Sequence, residues 1–264
     1  MNKQVLITGA TKNIGYQTAR YFAKKGFDVH VTSRHEDDSL AVAAKLESDF
    51  PGIKAYGYAC DISIYADIIS LFKNIRKNTD SLDVLIANAA CLGIGYDVFT
   101  TDEEQFDKIV DTNIKGTFFT CREAGKMLCK NGGSIVLISS VQGKGAVEGR
   151  TVYGMTKGAI STLGKYLAYD FAAYNVRVNT AIIGAVHSER WDALDEETLK
   201  SRRSNYPLGR EATSEEIASA IYYIGAEQTA ATGSEITVDS GVTLSILPYS
   251  ARKNKKHEEY LSEE

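Results

Sequence analysis

The sequence predicts an α/β fold: one doubly wound domain whose seven-stranded parallel sheet carries helices on both faces. Three observations predict it. Seven short apolar runs alternate with longer amphipathic stretches along the 264 residues; the apolar runs suit strands of a parallel sheet covered on both faces; and no linker or internal repeat interrupts the alternation. In order, QVLIT (4–8) runs into the turn TGATKNIG and a helix over about 13–26. DVHVTS (28–33) ends in Thr32-Ser33-Arg34 and is followed by a helix over 36–49. IKAYGYAC (53–60) ends at Asp61 before a helix over 63–78, and LDVLIA (82–87) ends at Asn88 before one long helix over 102–130. SIVLIS (134–139) ends at Ser140 before a helix over 150–174. VRVNTAI (176–182) leads into residues 184–212, too long for an ordinary connection and expected to form a helical lid or substrate loop. A helix over 214–226 and the strand EITVD (235–239) complete the domain, taken as 1–247; residues 248–264 form a charged tail, four basic residues followed by four acidic ones.

Composition narrows the function. With 44% hydrophobic and 24% charged residues the chain is an ordinary globular protein, and a formal net charge of −4 gives no overall attraction to nucleic acid or to an acidic membrane surface. Cys60, Cys91, Cys121 and Cys129 form no CxxC pair and do not group with the four histidines as metal ligands, so reduced structural thiols and no metal are expected. No apolar run is long enough to span a bilayer, and the N-terminal stretch is too short for a signal-peptide core. The expected location is the cytoplasm.

Two motifs carry chemistry. In TGATKNIG, Gly9 permits a sharp turn and Gly15 a close approach of the helix to a ligand, while free N–H groups at the helix start can hold a pyrophosphate; Asn13 stands where a middle glycine is usual. In TVYGMTKGAI, Tyr153 and Lys157 lie four apart, on one helix face. That spacing alone is weak. Fifteen Tyr and nineteen Lys predict roughly one such pair by chance, and Tyr21/Lys25 and Tyr249/Lys253 share it. Only Tyr153 has a serine, Ser140, thirteen residues upstream at a strand end.

Taken together these motifs resemble the short-chain dehydrogenase/reductase family, from Val5 to about Leu244. TGATKNIG resembles its TGxxxGxG turn, ANAA (87–90) its NNAG segment, and TNIKG (112–116) carries its helix asparagine at Asn113. ISSVQG (138–143) aligns Ser140 with the family's serine, and Tyr153 and Lys157 then fall at its YxxxK pair. The chain departs from the pattern at Ala87, Ala90, Ile183-Gly184 and Asp239-Ser240-Gly241, and none of these removes a catalytic group. The resemblance implies a Rossmann-type domain and a carbonyl reductase or alcohol dehydrogenase. It implies Tyr153 as general acid/base, Ser140 orienting the substrate oxygen, Lys157 lowering the Tyr153 pKa and binding the nicotinamide ribose, and Asn113 supporting a water relay. Along the cofactor it places Gly9, Thr11, Lys12, Asn13, Ile14, Gly15, Ser33, Arg34, Asp61, Ile62, Asn88, Ala89, Gly184, Val186 and Ser188, together with Tyr153 and Lys157.

NAD enzymes tend to place an acid at the end of the second strand, whereas a 2′-phosphate needs cations and hydroxyls there. Ser33, Arg34 and Lys12 therefore favour NADP(H), against which Glu36 and Asp37 lie just downstream. Lys144, Arg150, His187, Arg190 and Trp191 lie in or beside the loops expected to choose the substrate. A 3-oxoacyl thioester, a sugar or polyol, a steroid and a secondary-metabolite ketone all stay open, as do a NAD-dependent polyol or steroid dehydrogenase and a dinucleotide-binding sensor or scaffold without turnover. The long helices at 102–130 and 150–174 resemble those that pair in family dimers and tetramers, so a homotetramer or homodimer is expected.

Overall fold

The computed structural model describes residues 2–244; the expected tail and residues 245–247 of the expected domain lie outside them. Seven strands form one sheet: β1 (Gln4–Ile7), β2 (Asp28–Ser33), β3 (Ala55–Ala59), β4 (Val84–Ala87), β5 (Gly133–Ser140), β6 (Val176–Ile183) and β7 (Glu235–Val238). All pair in parallel in the order β3-β2-β1-β4-β5-β6-β7. The helices are α1 (Asn13–Lys24), α2 (Glu36–Asp49), α3 (Tyr65–Ile75), α4 (Glu103–Val110), α5 (Thr117–Leu128), α6 (Thr151–Phe171), α7 (Glu189–Asp192), α8 (Glu196–Arg203) and α9 (Ser214–Tyr222).

The central strands are mostly apolar because each face of the sheet is covered. Leu6, Leu85, Ile135 and Leu137 meet Phe72 of α3, Met127 and Leu128 of α5 and Ile160 of α6 on one side. Val5, Ile7, Val29, Val31, Ile86 and Val136 meet Phe22 of α1, Leu46 of α2 and Ile217 and Ile221 of α9 on the other. Several buried polar side chains interrupt this pattern, Thr32, Asn179, Thr180 and His30 among them. His30 of β2 is fully buried, its ring nitrogens 2.9 Å from the Tyr58 hydroxyl and 3.1 Å from Gln4 Oε1, with the Tyr56 ring stacked at 4.8 Å.

Two expected helices are divided. The 102–130 stretch is α4, a π-helical turn (Asp111–Gly116) and α5, and the 214–226 stretch is α9 followed by a π-helical turn (Tyr223–Glu227). Hydrophobic periodicity does not register the wider turn, because one inserted residue shifts the apolar stripe without ending it. The 150–174 stretch ends earlier, α6 passing into a 3-10 turn (Ala172–Tyr174), and the expected strands at 53–60, 82–87 and 235–239 are one to three residues shorter.

Since every strand runs the same way, the residues after β1, β2, β3, β4, β5 and β6 all emerge along one sheet edge. The chain reverses its winding between β1 and β4, so a crevice opens at the carboxyl ends of those two strands, where ligands of doubly wound sheets bind.

Candidate active site

The turn after β1 is built against the end of β4. Asn88 Nδ2 donates to the Thr8 and Gly9 carbonyls at 2.9 and 3.0 Å, and the Asn88 and Ala89 N–H groups donate to Thr8 Oγ1 at 3.0 and 3.1 Å. Gly9 (φ 64°) and Asn13 (φ 49°) adopt left-handed backbone. Gly15 is required by closeness: a Cβ there would lie 2.3 Å from the Gly9 carbonyl oxygen and 2.7 Å from Asn88 Nδ2. Thr11 and Ile14 flank this turn, Ile14 packing onto the core beneath.

Helix α1 starts without a side-chain cap and without an acidic residue in its first turn. Three helices are capped by their own side chains, α4 with Asp102, α8 with Asp195 and α9 with a Thr213/Glu216 capping box, and α2, which like α1 has no side-chain cap, carries three acids in its first turn. An uncapped helix start behind a glycine turn fits the pyrophosphate of a dinucleotide, through N–H donors and the positive end of the helix dipole. Lys12 precedes this helix and Arg34 follows β2, both exposed, and Ser33 Oγ accepts from the His35 N–H at 3.1 Å. Glu36 and Asp37 occupy the first turn of α2. Asp61 uses one carboxylate oxygen on its own turn, accepting from Ser63 N and Oγ at 3.0 and 2.7 Å. Ile62 is buried against the core.

Ser140, Tyr153, Lys157 and Asn113 come together across β5, α6 and the π-helical turn. The loop after β5 lies directly on α6: a Cβ on Gly143 would sit 2.7 Å from the Lys157 backbone, so only glycine permits the approach that sets Ser140 beside Tyr153. Ser139 Oγ also donates to the Lys157 carbonyl at 2.8 Å. Lys157 is buried; its Nζ donates to the Ile138 carbonyl at 2.8 Å and stands 5.5 Å from the centre of the Tyr153 ring. Burial brings the ammonium down to about 8.

Tyr153 differs from expectation. Its phenol lies above the ordinary value, because burial opposes the phenolate more strongly than the Ser140 hydroxyl and the Arg150 charge favour it. Lys157 Nζ, one donor of which is held by the Ile138 carbonyl, stands 5.5 Å from the centre of the ring, and its charge does not outweigh the burial.

Asn113 is placed by the π-helical turn, which directs it inward. It accepts from Cys91 N at 2.7 Å and donates to Cys91 O and Thr156 Oγ1, both at 2.9 Å, while Thr156 Oγ1 donates to the Tyr153 carbonyl at 2.8 Å. Thr8 and Thr156 escape sequence reasoning, because a buried threonine has no spacing signature; their position inside the two motifs is the only signal.

After β6, Gly184 N donates to Val238 O at 3.0 Å and Val186 bridges Ala212, so the 184–212 segment is closed at its base. Ser188 starts α7. His187 stands between Glu211 (2.8 Å) and Asp192 (2.9 Å), and Arg203 binds Glu211 through Nε and Nη2 at 2.9 and 2.7 Å. These bonds, that of Arg203 foremost, hold the Glu211 carboxyl down at about 2, and the Glu211 bond raises the His187 imidazole. Lys144 bonds Glu235 at 2.5 Å. Two of the cations expected near the substrate are therefore already paired.

The family model described as Enoyl-(Acyl carrier protein) reductase matches residues 9–243. The 3-oxoacyl-[acyl-carrier-protein] reductase of Bos taurus is 30% identical over 247 residues, covering 93% of this chain and 100% of that protein. Glucose 1-dehydrogenase of Gluconobacter oxydans (strain 621H) is 34% identical over 252 residues, covering 92% of each. The crystal structure of a short-chain type dehydrogenase/reductase from Mycobacterium marinum superposes with a TM-score of 0.82 at 28% identity, over 91% of this chain and 95% of that one.

Proposed function

The chain belongs to the short-chain dehydrogenase/reductase family of oxidoreductases, and from that premise we propose that it is an NADP(H)-dependent enzyme interconverting a ketone or aldehyde and an alcohol, working as a reductase. The observation that carries the reading is the convergence of Ser140, Tyr153, Lys157 and Asn113 beside an uncapped helix start behind a glycine turn.

A reduced nicotinamide, held by Lys157 and by the residues after β1, β4 and β6, would supply the hydride for the carbonyl carbon. Tyr153 gives its phenolic proton to the carbonyl oxygen, which leaves an alcohol and a phenolate; burial keeps the phenol protonated at neutral pH, and the positive charge of Lys157 eases the loss of that proton. Ser140 Oγ sits at the strand end beside that phenol and orients the substrate oxygen. Lys157 keeps two ammonium hydrogens beyond the one it gives to Ile138, enough to bind the ribose, and its charge stabilises the phenolate once formed. Asn113 fixes the Cys91 backbone against α6, a position from which it would support a water relay returning the proton behind Lys157. Lys12, Ser33 and Arg34 support a 2′-phosphate, hence NADP(H) rather than NAD(H). Residues 87–90, Asp61 and 184–188 line the rest of the cofactor.

The names of the relatives, a 3-oxoacyl-[acyl-carrier-protein] reductase and a glucose 1-dehydrogenase, support a small-molecule carbonyl or alcohol substrate. Exposed Phe118 of α5 and Met155, Tyr166 and Tyr169 of α6 support pairing of copies through these helices, as a homodimer or homotetramer. The four free thiols support a reducing compartment, the cytoplasm.

The test is nucleotide oxidation over a panel of ketones and aldehydes with NADPH and NADH, for the wild type and Tyr153→Phe. Turnover with preference for NADPH is expected, falling roughly 10²- to 10⁴-fold in kcat for the variant while NADPH binding persists. Activity unchanged by the substitution would sink the mechanism, and tight NADPH binding without turnover of any carbonyl would favour a sensor.

A further inference from the structure

We infer that Arg150 determines substrate specificity by anchoring a carboxylate that the substrate carries near its reacting carbonyl, an inference that rests on the reading of Tyr153 above. The loop cations are not equivalent once their partners are known. Lys144 is paired with Glu235, His187 is held between Glu211 and Asp192, Arg203 is bound to Glu211, and the Arg202 guanidinium lies over the Trp191 ring at 5.6 Å. Arg150 forms no ion pair among the described residues. Its one side-chain bond runs from Nη1 to the Leu92 carbonyl at 2.8 Å, and its guanidinium stands 5.7 Å from the centre of the Tyr153 ring.

The geometry makes this charge usable. A guanidinium carries five N–H donors in a planar fork, so the bond to Leu92 leaves donors for a bidentate carboxylate. The position is fixed from both sides: Tyr96 and Arg150 form a backbone bridge, and Gly95 N donates to Gly149 O at 3.1 Å. Arg150 is also the N-cap of α6, which has no side-chain cap and no acid in its first turn, so the helix dipole adds to the attraction for an anion. Glu148, two residues away, is exposed and does not reach it. An anion on Arg150 would lie beside the Tyr153 ring, whose phenol is bonded by Ser140. The chemistry is that of a short oxo acid.

The test compares acid and ester pairs, 3-oxobutanoate and 2-oxobutanoate against their methyl esters, by NADPH oxidation in wild type, Arg150→Gln, Arg150→Lys and Tyr153→Phe. The wild type is expected to favour the acid in kcat/KM. Arg150→Gln should lower the acid-to-ester ratio roughly 10- to 100-fold, the loss of a charged hydrogen-bonded contact, mainly through KM, and Arg150→Lys should restore part of it. A side chain that only braced the Leu92 loop would lower both members of a pair and leave the ratio where it was, and that result overturns the inference; so does a wild type that turns over no oxo acid. If Tyr153→Phe stays fully active, the mechanism fails rather than the anchor; if it is inactive and the ratio does not move in Arg150→Gln, the anchor alone fails.

Discussion

At the scale of single residues, burial sets the protonation states on which the chemistry depends. Tyr153 is buried and raised, and the cations nearest it, Arg150 and Lys157, do not reverse that in the protein by itself. The phenol should therefore titrate above pH 10 in the protein free of nucleotide. Adding NADP+, whose oxidised ring is positive, favours the phenolate and should move the midpoint down. The difference in absorbance titration near 295 nm between wild type and Tyr153→Phe isolates this group among the fifteen tyrosines; a midpoint below 10 without nucleotide would contradict the burial argument. Motif spacing brought Ser140, Tyr153 and Lys157 into view from sequence. The direction of the Tyr153 shift was not legible there, because it depends on which atom the Lys157 ammonium bonds, and Ile138 is a backbone partner that no spacing announces.

At the scale of elements, the π-helical turn between α4 and α5 is what lets a polar side chain be both in a helix and in the site. Asn113 satisfies the Cys91 N–H and C=O and links them to Thr156. Asn113→Ala leaves two backbone groups and one hydroxyl without that partner, at a cost of about 3 kcal/mol. Urea unfolding should register the loss, together with reduced turnover; an unchanged midpoint would mean that the Cys91 segment relaxes onto other partners. The seven strands and their order of helices were readable because the central strands are mostly apolar on both faces and short apolar runs alternate with amphipathic ones. The wider turns at 111–116 and 223–227 were not, and neither was the paired state of Lys144 and His187, whose partners Glu235 and Glu211 lie 91 and 24 residues away.

At the scale of the whole molecule, the sheet carries an acid-sensitive point far in sequence from the chemistry. His30, buried between Tyr56 and Tyr58, is lowered to about 4 by burial. Between pH 6.5 and 4 the unfolded chain takes up a proton on this imidazole and the folded chain resists it, so stability is full above pH 6.5 and falls as the pH drops, by about 3 kcal/mol in all. Urea melts at pH 7 and pH 4 should show that extra loss in the wild type and not in His30→Phe, whatever the latter's starting stability. Equal losses in both would place the acid sensitivity elsewhere.

The backbone bridge between Tyr96 and Arg150 has a consequence for how such a protein changes over generations. Two loops that are remote in the chain are tied into one flap, so a substitution in 91–98 is felt by 144–150 and the reverse. Effects of changes on the two sides are then non-additive, and a pair that is tolerated together can be harmful singly. Drift toward a new substrate proceeds in coupled steps, which makes the flap slow to diverge even though it lies on the surface.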